Sequence, residues 1–355
     1  MNIPVKSSHT VSQVDFGDAA MMRRIEGFVH EQRASLFHTP AWHKAVERGT
    51  GQKALGLVTQ QLGTITGWLP LTQVRSLLFG NALVSSGFGV GGGLCAVSPE
   101  AEDRLTEAAV KHAQTYGFSS VELRGGDTPE GEGWERWSDK HCGFERALAA
   151  DDEAELLAIP RKARAEVRKG IKAGLDVRVG RSGDDLRAHY AVYAERVRNL
   201  GTPVFPAKLF AAMLDAFPDH SDILTVFKDG QPLSSVLSFY HEGAVMPFWG
   251  GGLYAARQAR SNELMYYELM RHARQRGMKR FDFGRSKTGS GPYKFKKNWG
   301  FEPQALTYAR WTATGSEARN VDPTSESYSR KIELWKKLPL PLANTIGPFI
   351  ARGLA

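Results

Sequence analysis

The stretch Phe281–Pro303, FDFGRSKTGSGPYKFKKNWGFEP, holds most of the chemically loaded residues of this chain. A strand-like run, Arg280 to Phe283, empties into a Gly/Ser/Lys loop, Gly284 to Pro292. A basic aromatic segment follows and ends in Trp299-Gly300-Phe301. Loops at strand ends are where sites open. Gly284, Gly289 and Gly291 let backbone N–H groups approach an anion closely, and Arg285, Lys287, Lys294, Lys296 and Lys297 place positive charge on both sides. The stretch asks for a negatively charged ligand.

Working outward, the elements around this stretch recur in the first half of the chain. Thr39-Pro40 starts a helix running toward Arg48, and Leu55–Thr59 with Thr64–Leu71 reads as a hairpin. A Gly-rich piece, Gly87 to Gly93, precedes Ser98-Pro99, which opens a helix ended by Gly117; Ser119 to Leu123 is strand-like. In the second half Phe205-Pro206-Ala207 opens a helix to Phe217. Ile223–Phe227 and Ser234–Tyr240 form a hairpin about Asp229-Gly230, Ala244–Trp249 leads into three glycines, and Ser261 caps a helix ended by Gly277. Gly91-Gly92-Gly93-Leu94 answers Gly250-Gly251-Gly252-Leu253, and Val121-Glu122-Leu123-Arg124 answers Phe281-Asp282-Phe283-Gly284. Cys142-Gly143-Phe144-Glu145 likewise answers Trp299-Gly300-Phe301-Glu302. A period of about 160 residues is a duplicated domain, not a solenoid. Each copy has the order of a twisted mixed sheet with helices on its faces.

With 355 residues, 42% apolar and 24% charged, the chain has room for two such domains. Its net charge of +8 favours a polyanionic partner, with solubility as the plain alternative. Met1 to Gln13 lacks the apolar core of a signal peptide, so a cytoplasmic protein is expected. Cys95 and Cys142 have neither metal nor redox spacing and read as reduced; the ten histidines form no ligand pair, so no metal is expected.

Charge concentrates between the copies. Asp151 to Ala158 is acidic, and Pro160 to Lys172 carries Arg161, Lys162, Arg164, Arg168, Lys169 and Lys172 against Glu166 alone. At helical spacing Arg161, Arg164, Arg168 and Lys172 share one face, suited either to a solvated surface or to phosphate, with Arg164 and Arg168 as the anion ligands. The final part, Leu334 to Ala355, mixes Trp335, Lys336 and Lys337 with Leu-Pro repeats, Ile346, Phe349 and Ile350. It either packs back on the second copy or rests on the inner membrane surface.

The closing F-D-F-G-R-S-K and F-K-K-x-W-G-F-E-P resemble the final motif of the Fem family, transferases that add amino acids to peptidoglycan precursors. Leu78–Val84, Pro160–Arg164 through Lys169–Gly174, Asn199–Pro206 and Leu338–Asn344 look like the branch encoded beside exosortase (PEP-CTERM) and exopolysaccharide genes in Gram-negative bacteria. The resemblance implies an α/β (α+β) fold of two tandem GNAT-like lobes, the acyl-CoA N-acyltransferase fold. The lobes are expected at 1–150 and 179–315, with a basic helix or linker at 151–178 between them and a tail at 316–355. The active site is expected in the second lobe, whose Lys-rich loop has no counterpart around Gly125-Gly126-Asp127.

On this resemblance Lys296 stabilises negative charge on the donor or on the tetrahedral oxyanion, the plain alternative being a lysine that only helps solvate the strand entrance. Asp282, at a strand end, either takes a proton from or orients an attacking amine, or bonds loop N–H groups to fix the turn. Arg285 completes the catalytic set. Lys287, Tyr293 and Lys297 are expected substrate contacts, and Tyr240, Trp249 and Tyr254 either line the site or fill the core. The expected reaction joins an activated carboxyl donor to an amine on an anionic cell-envelope or exopolysaccharide precursor. Aminoacyl-tRNA is the first donor and acyl-CoA the alternative, because Tyr254 to Asn262 lacks the glycines that cradle a CoA pyrophosphate. A non-catalytic module holding a saccharide-lipid intermediate for export machinery is the reading from another class. Gly87 to Gly92 spells G-x-G-x-x-G without its βαβ context, and Asp282-Phe283-Gly284 spells DFG without a kinase's other parts. No Ser/His/Asp or Cys/His set stands out, which fits direct attack by an amine.

Overall fold

The computed structural model describes residues 9–126, 128–129, 131–317, 319 and 326–355. The first eight residues of the N-terminal segment, Asp127, and positions 320–325 of the polar stretch before Ser329 lie outside the described residues.

The first half of the chain forms β1 (Thr10–Val14), α1 (Ala19–Glu31), α2 (Pro40–Thr50), β2 (Lys53–Gln61), β3 (Thr64–Ser76), β4 (Gly80–Ser85), β5 (Cys95–Ala96), α3 (Pro99–Tyr116), β6 (Ser120–Arg124) and β7 (Trp134–Trp137). Its helix ends follow local chemistry. The Thr39 hydroxyl accepts from the Trp42 N–H with Pro40 in the first turn, Ser98 accepts from Ala101 N–H, and Gly117 closes α3 in the left-handed region at φ 70°. The Gly-rich piece passes so close to the end of β6 that a Cβ at Gly93 would stand 1.9 Å from the Gly125 carbonyl oxygen. Backbone cannot yield as a side chain can. Gly93→Ala is therefore expected to cost about 1–3 kcal/mol, seen as a lower midpoint in thermal unfolding.

The second half forms β8 (His141–Ala147), α4 (Asp152–Ala158), α5 (Arg161–Ile171), β9 (Asp176–Gly180), α6 (Gly183–Asn199), α7 (Ala207–Ala216), β10 (Ser221–Lys228), β11 (Gln231–His241), β12 (Ala244–Gly252), α8 (Ala256–Ala259), α9 (Ser261–Gln275), β13 (Arg280–Asp282), β14 (Ser286–Lys287), α10 (Gly291–Asn298) and β15 (Pro303–Ala305). The chain ends with β16 (Tyr308–Thr312), α11 (Glu326–Lys336) and α12 (Leu340–Ala351).

Two mixed sheets result, with matching strand orders. The first runs β1-β2-β3-β4-β6-β16-β7, with β5 on β3; the second runs β9-β10-β11-β12-β13-β8-β14, with β15 on β8. Each contains one parallel pair, β4 with β6 and β12 with β13, as the repeat requires. The duplication is also reciprocal. The strand that ends the first copy, β8, pairs antiparallel with β13, whereas β16, which ends the second, pairs antiparallel with β6.

Two compact units follow that differ from the expected boundaries. The first holds the chain up to Ser138, the segment beginning at Leu306 and Arg352–Ala355; the second holds Asp139–Ala305 and the two final helices. β8, expected in the first lobe, therefore belongs to the second unit, and β16, expected in the second lobe, to the first. The segment 151–178 is packed structure within the second unit. Val167 and Gly170 of α5 are buried, and a Cβ at Gly170 would lie 2.8 Å from the Arg260 carbonyl.

Each unit has its own core. In the first, Leu55, Leu69, Leu71, Leu83, Leu105, Val121 and Leu123 pack between sheet and α3, with a second cluster around Ile25, Val58 and Trp68. In the second, Val236, Val245, Met265, Leu269, Phe281, Trp299 and Phe301 join the sheet to α9 and α10.

Candidate active site

The second sheet opens at one end. β12 and β13 pair only at Ala244 with Arg280 and Val245 with Phe281, after which β12 continues alongside β11 to Gly252 while β13 stops at Asp282. A register shift opposite Leu237/Ser238 leaves Phe248 as an extra residue on β12 and bends that strand. Ligand sites in open α/β sheets form where strands part in this way.

Residues on the β13 side are fixed by a tight turn. The Asp282 carboxylate accepts from the Gly284 N–H at 2.8 Å, and Gly284 takes φ 69°, a conformation glycine adopts without penalty. Helix α10 then returns toward this turn, capped by the Ser290 hydroxyl with Pro292 in its first turn. Its Lys296 is buried, and Nζ donates to the carbonyls of Gly284 (3.0 Å) and Arg285 (3.1 Å), with the Phe144 and Phe283 rings 5.3 and 5.5 Å away. Burial pushes the Lys296 amine down to about 8, against the pull of the nearby Asp282 charge, and burial raises the Asp282 carboxyl. An ammonium has three donors. Two are committed to the loop, and one remains.

The three residues expected as catalytic thus come together, Asp282 and Lys296 through their charges and Arg285 through its carbonyl. Lys287 is half-buried in β14, and Tyr293 packs edge-on against Phe144 at 5.4 Å. Lys297 is exposed on α10. Arg164 donates to the Leu157 carbonyl at 3.2 Å, while Arg168 is exposed on α5. Tyr254 is exposed, beside Arg257.

Two aromatic expectations are corrected. Tyr240 is 2% exposed; its hydroxyl donates to the Asp222 carboxylate, which also binds His272 and Arg276. Trp249 is buried among Phe210, Phe239 and Phe248. Both are core residues.

On the β12 side stand residues the sequence reading missed. Arg196 of α6 lies against Gly251, where an added Cβ would be 3.0 Å from its Cγ. Burial lowers the Arg196 guanidinium, as does neighbouring Arg257, and Arg196 in turn senses Tyr266, whose phenol burial pushes up to about 12. Tyr266 packs at 4.7 Å on Phe283, beside the Lys296 turn. Three glycines in a strand were the signal, since they mark a place where something approaches the backbone. Nearby, Ser261 Oγ and Asn262 Oδ1 are buried without hydrogen-bond partners.

The expected Ser261 cap is also corrected. Arg260 occupies the cap position in the left-handed region at φ 55°, and Ser261 is the first helical residue. Residues 254–259 fold into a turn and α8, in which the amides of Ala256, Arg257 and Arg260 donate to the carbonyls of Leu253, Tyr254 and Ala256. Those three amides are spent within the turn. Among the described residues no group of His, Cys, Asp and Glu could hold a metal ion.

Residues 160–297 match the family model described as an acetyltransferase (GNAT) domain. Among solved structures, FemX is similar at 14% identity and a TM-score of 0.65, over 84% of this chain and 96% of that one. A tandem GNAT protein from the clavulanic acid biosynthesis pathway is similar at 13% identity and a TM-score of 0.57, over 87% and 100%. The C-terminal domain of a putative lysylphosphatidylglycerol synthetase from Agrobacterium fabrum is similar at 14% identity and a TM-score of 0.54, over 82% and 91%. No curated protein sequence matches the chain. At these identities the likeness is one of fold: two tandem GNAT-like lobes with mixed sheets flanked by helices.

Proposed function

We propose that this chain is a Fem-like N-acyl or aminoacyl transferase that joins an activated carboxyl donor to an amine, with its reaction centre at the open end of the second sheet. The observation that carries the reading is the buried Lys296 ammonium, clamped on two loop carbonyls beside the parting of β12 and β13 with one donor to spare. The amine's lone pair forms the C–N bond, and the carbonyl π electrons move onto oxygen. The donor's C–O or C–S bond then breaks, and the amine proton leaves with the departing hydroxyl or thiol. The remaining N–H of Lys296 stabilises the oxyanion, a task that suits a fixed donor in a partly dry site. Asp282 is a positioning residue, holding the turn whose carbonyls hold Lys296.

The donor is an aminoacyl ester of tRNA in preference to acyl-CoA, a choice that follows the resemblance of the motifs, the absence of glycine from Tyr254 to Asn262 and the cations of α5. The acceptor is an amine on an anionic cell-envelope or exopolysaccharide precursor, a choice that follows the resemblance of the sequence motifs.

Equilibrium binding to charged tRNA, uncharged tRNA and a panel of acyl-CoAs across a salt series tests the donor. Charged tRNA is expected to bind more tightly than uncharged tRNA by a margin that survives added salt, since phosphate contacts alone are salt-labile. Saturable acyl-CoA binding, with RNA binding indifferent to charging, would overturn the tRNA assignment in favour of a thioester donor. Binding of saccharide-lipid with no turnover from either donor would overturn the enzyme reading itself.

A further inference from the structure

Helix α12 is packed inside out. Its small residues Ala343, Gly347 and Ala351 are buried, and a Cβ at Gly347 would lie 3.0 Å from the Val204 backbone nitrogen. Its large apolar residues point the other way: Leu342 is 48% exposed, Ile346 37% and Phe349 68%. Positions i, i+4 and i+7 form one stripe along a helix. All twelve residues of α12 are uncharged.

A helix selected only to cover its own domain would bury its large side chains and expose polar ones. Here a continuous apolar stripe faces outward, a pattern that marks an interaction surface. Leu334 on the preceding helix is also exposed, at 68%. From Leu334 to Ala355 the sequence has no acidic residue, and Lys336 and Lys337 precede α12. Lys336 also pairs with Glu333 at 2.6 Å.

We propose that the outer face of α12 docks the protein on an anionic lipid bilayer, with Leu342, Ile346 and Phe349 entering the headgroup boundary and Lys336 and Lys337 before the helix meeting the lipid phosphates. Apolar area together with cations is the pairing that holds a helix in the plane of such a surface. The helix lies on the membrane and does not cross it. Twelve residues extend about 18 Å, short of the roughly 30 Å hydrocarbon core, and among the described residues no helix is long and apolar enough to span one. The inference is independent of the catalytic reading, because it uses none of the residues of the candidate active site.

The test is co-sedimentation of the full chain with vesicles of phosphatidylcholine alone and of phosphatidylcholine with about one-third phosphatidylglycerol. Binding is expected on the anionic vesicles, weakened by salt. Leu342→Ser with Phe349→Ser is expected to reduce it by about tenfold or more, with thermal unfolding unchanged because both side chains are exposed. Lys336→Gln with Lys337→Gln should abolish the preference for anionic over neutral vesicles. Absence of vesicle binding, or binding indifferent to the serine pair, would overturn the proposal. A concentration-dependent dimer dissolved by the serine pair, without vesicle binding, would assign the stripe to a second copy of this chain instead.

Discussion

Replacement of Lys296 by methionine is expected to lower kcat/KM for the transfer reaction by about 10²–10³, the range found when a fixed oxyanion donor is removed. The fold should survive. Methionine forfeits the bonds to the Gly284 and Arg285 carbonyls, but it also removes a charge that burial disfavours, so the two effects oppose each other. The pH profile distinguishes this role from a structural one. Below about pH 8 the ammonium keeps three N–H groups; above it the neutral amine retains the two that hold the loop and loses the third. The wild-type rate should therefore fall as pH rises through about 8, without unfolding. Stability runs the opposite way. The native amine titrates near 8 and the unfolded one near 10.5, so between these values the unfolded chain binds the extra proton and folding stability rises with pH. That gain, on the order of 3 kcal/mol across the window, should be present in the wild type and missing from Lys296→Met. A flat rate profile through pH 8, or a methionine variant with full activity, would exclude Lys296 from the chemistry.

Glu155→Ala is expected to be the most damaging single substitution in the second unit, at about 3–5 kcal/mol. Glu155 on α4 is 0% exposed. Its carboxylate accepts from the Ala149 N–H at 2.8 Å and pairs with Arg146 of β8, with Arg274 of α9 at 3.5 Å. Removing it leaves two guanidinium groups, at 16% and 11% side-chain exposure, facing each other without their anion. Arg274 keeps Asp152 and Arg146 keeps the face of Phe301, at 4.8 Å, as partial compensation. Because the network ties β8 to α4 and α9, the denaturant midpoint should drop and hydrogen exchange at β8 should accelerate with it. A change within about 0.5 kcal/mol would mean that the arginines reach water as readily as they reach Glu155.

What the sequence made legible follows the range of the interactions involved. The β2–β3 hairpin and helix α3 were readable because alternation, the Ser98-Pro99 start and the Gly117 stop act over a few residues. The duplication was readable for the same reason: three short motifs recur at spacings of 157 to 160 residues. Partner choice was not readable. Nothing in His141–Ala147 or Tyr308–Thr312 says that each leaves its own copy, because strand pairing is decided by which edge is open in the folded molecule. Burial misled in a similar way. Tyr240 and Trp249 stand on strands where either sheet face could have been open, and only the helices covering them decide it. Lys296 stood out by its motif, but its burial and its two carbonyl partners depend on α10, whose Ser290 and Pro292 start signal lay inside what read as loop. Arg196 carried no local signal beyond the glycines it approaches.

The exchange of β8 and β16 sets an order of assembly during synthesis. In the first sheet β16 lies between β6 and β7, so until residues 308–312 leave the ribosome β6 presents an unpaired edge and β7 has no neighbour. By then the strands of the second sheet have all emerged. The nascent chain must therefore carry an incomplete first sheet for most of translation, a state in which open edges invite pairing with other chains. In the second sheet β8 emerges first and has no partner until β13 follows at residues 280–282. A chain cut between β7 and β8 would leave the first sheet without the interior strand β16, while the second sheet would keep all of its strands.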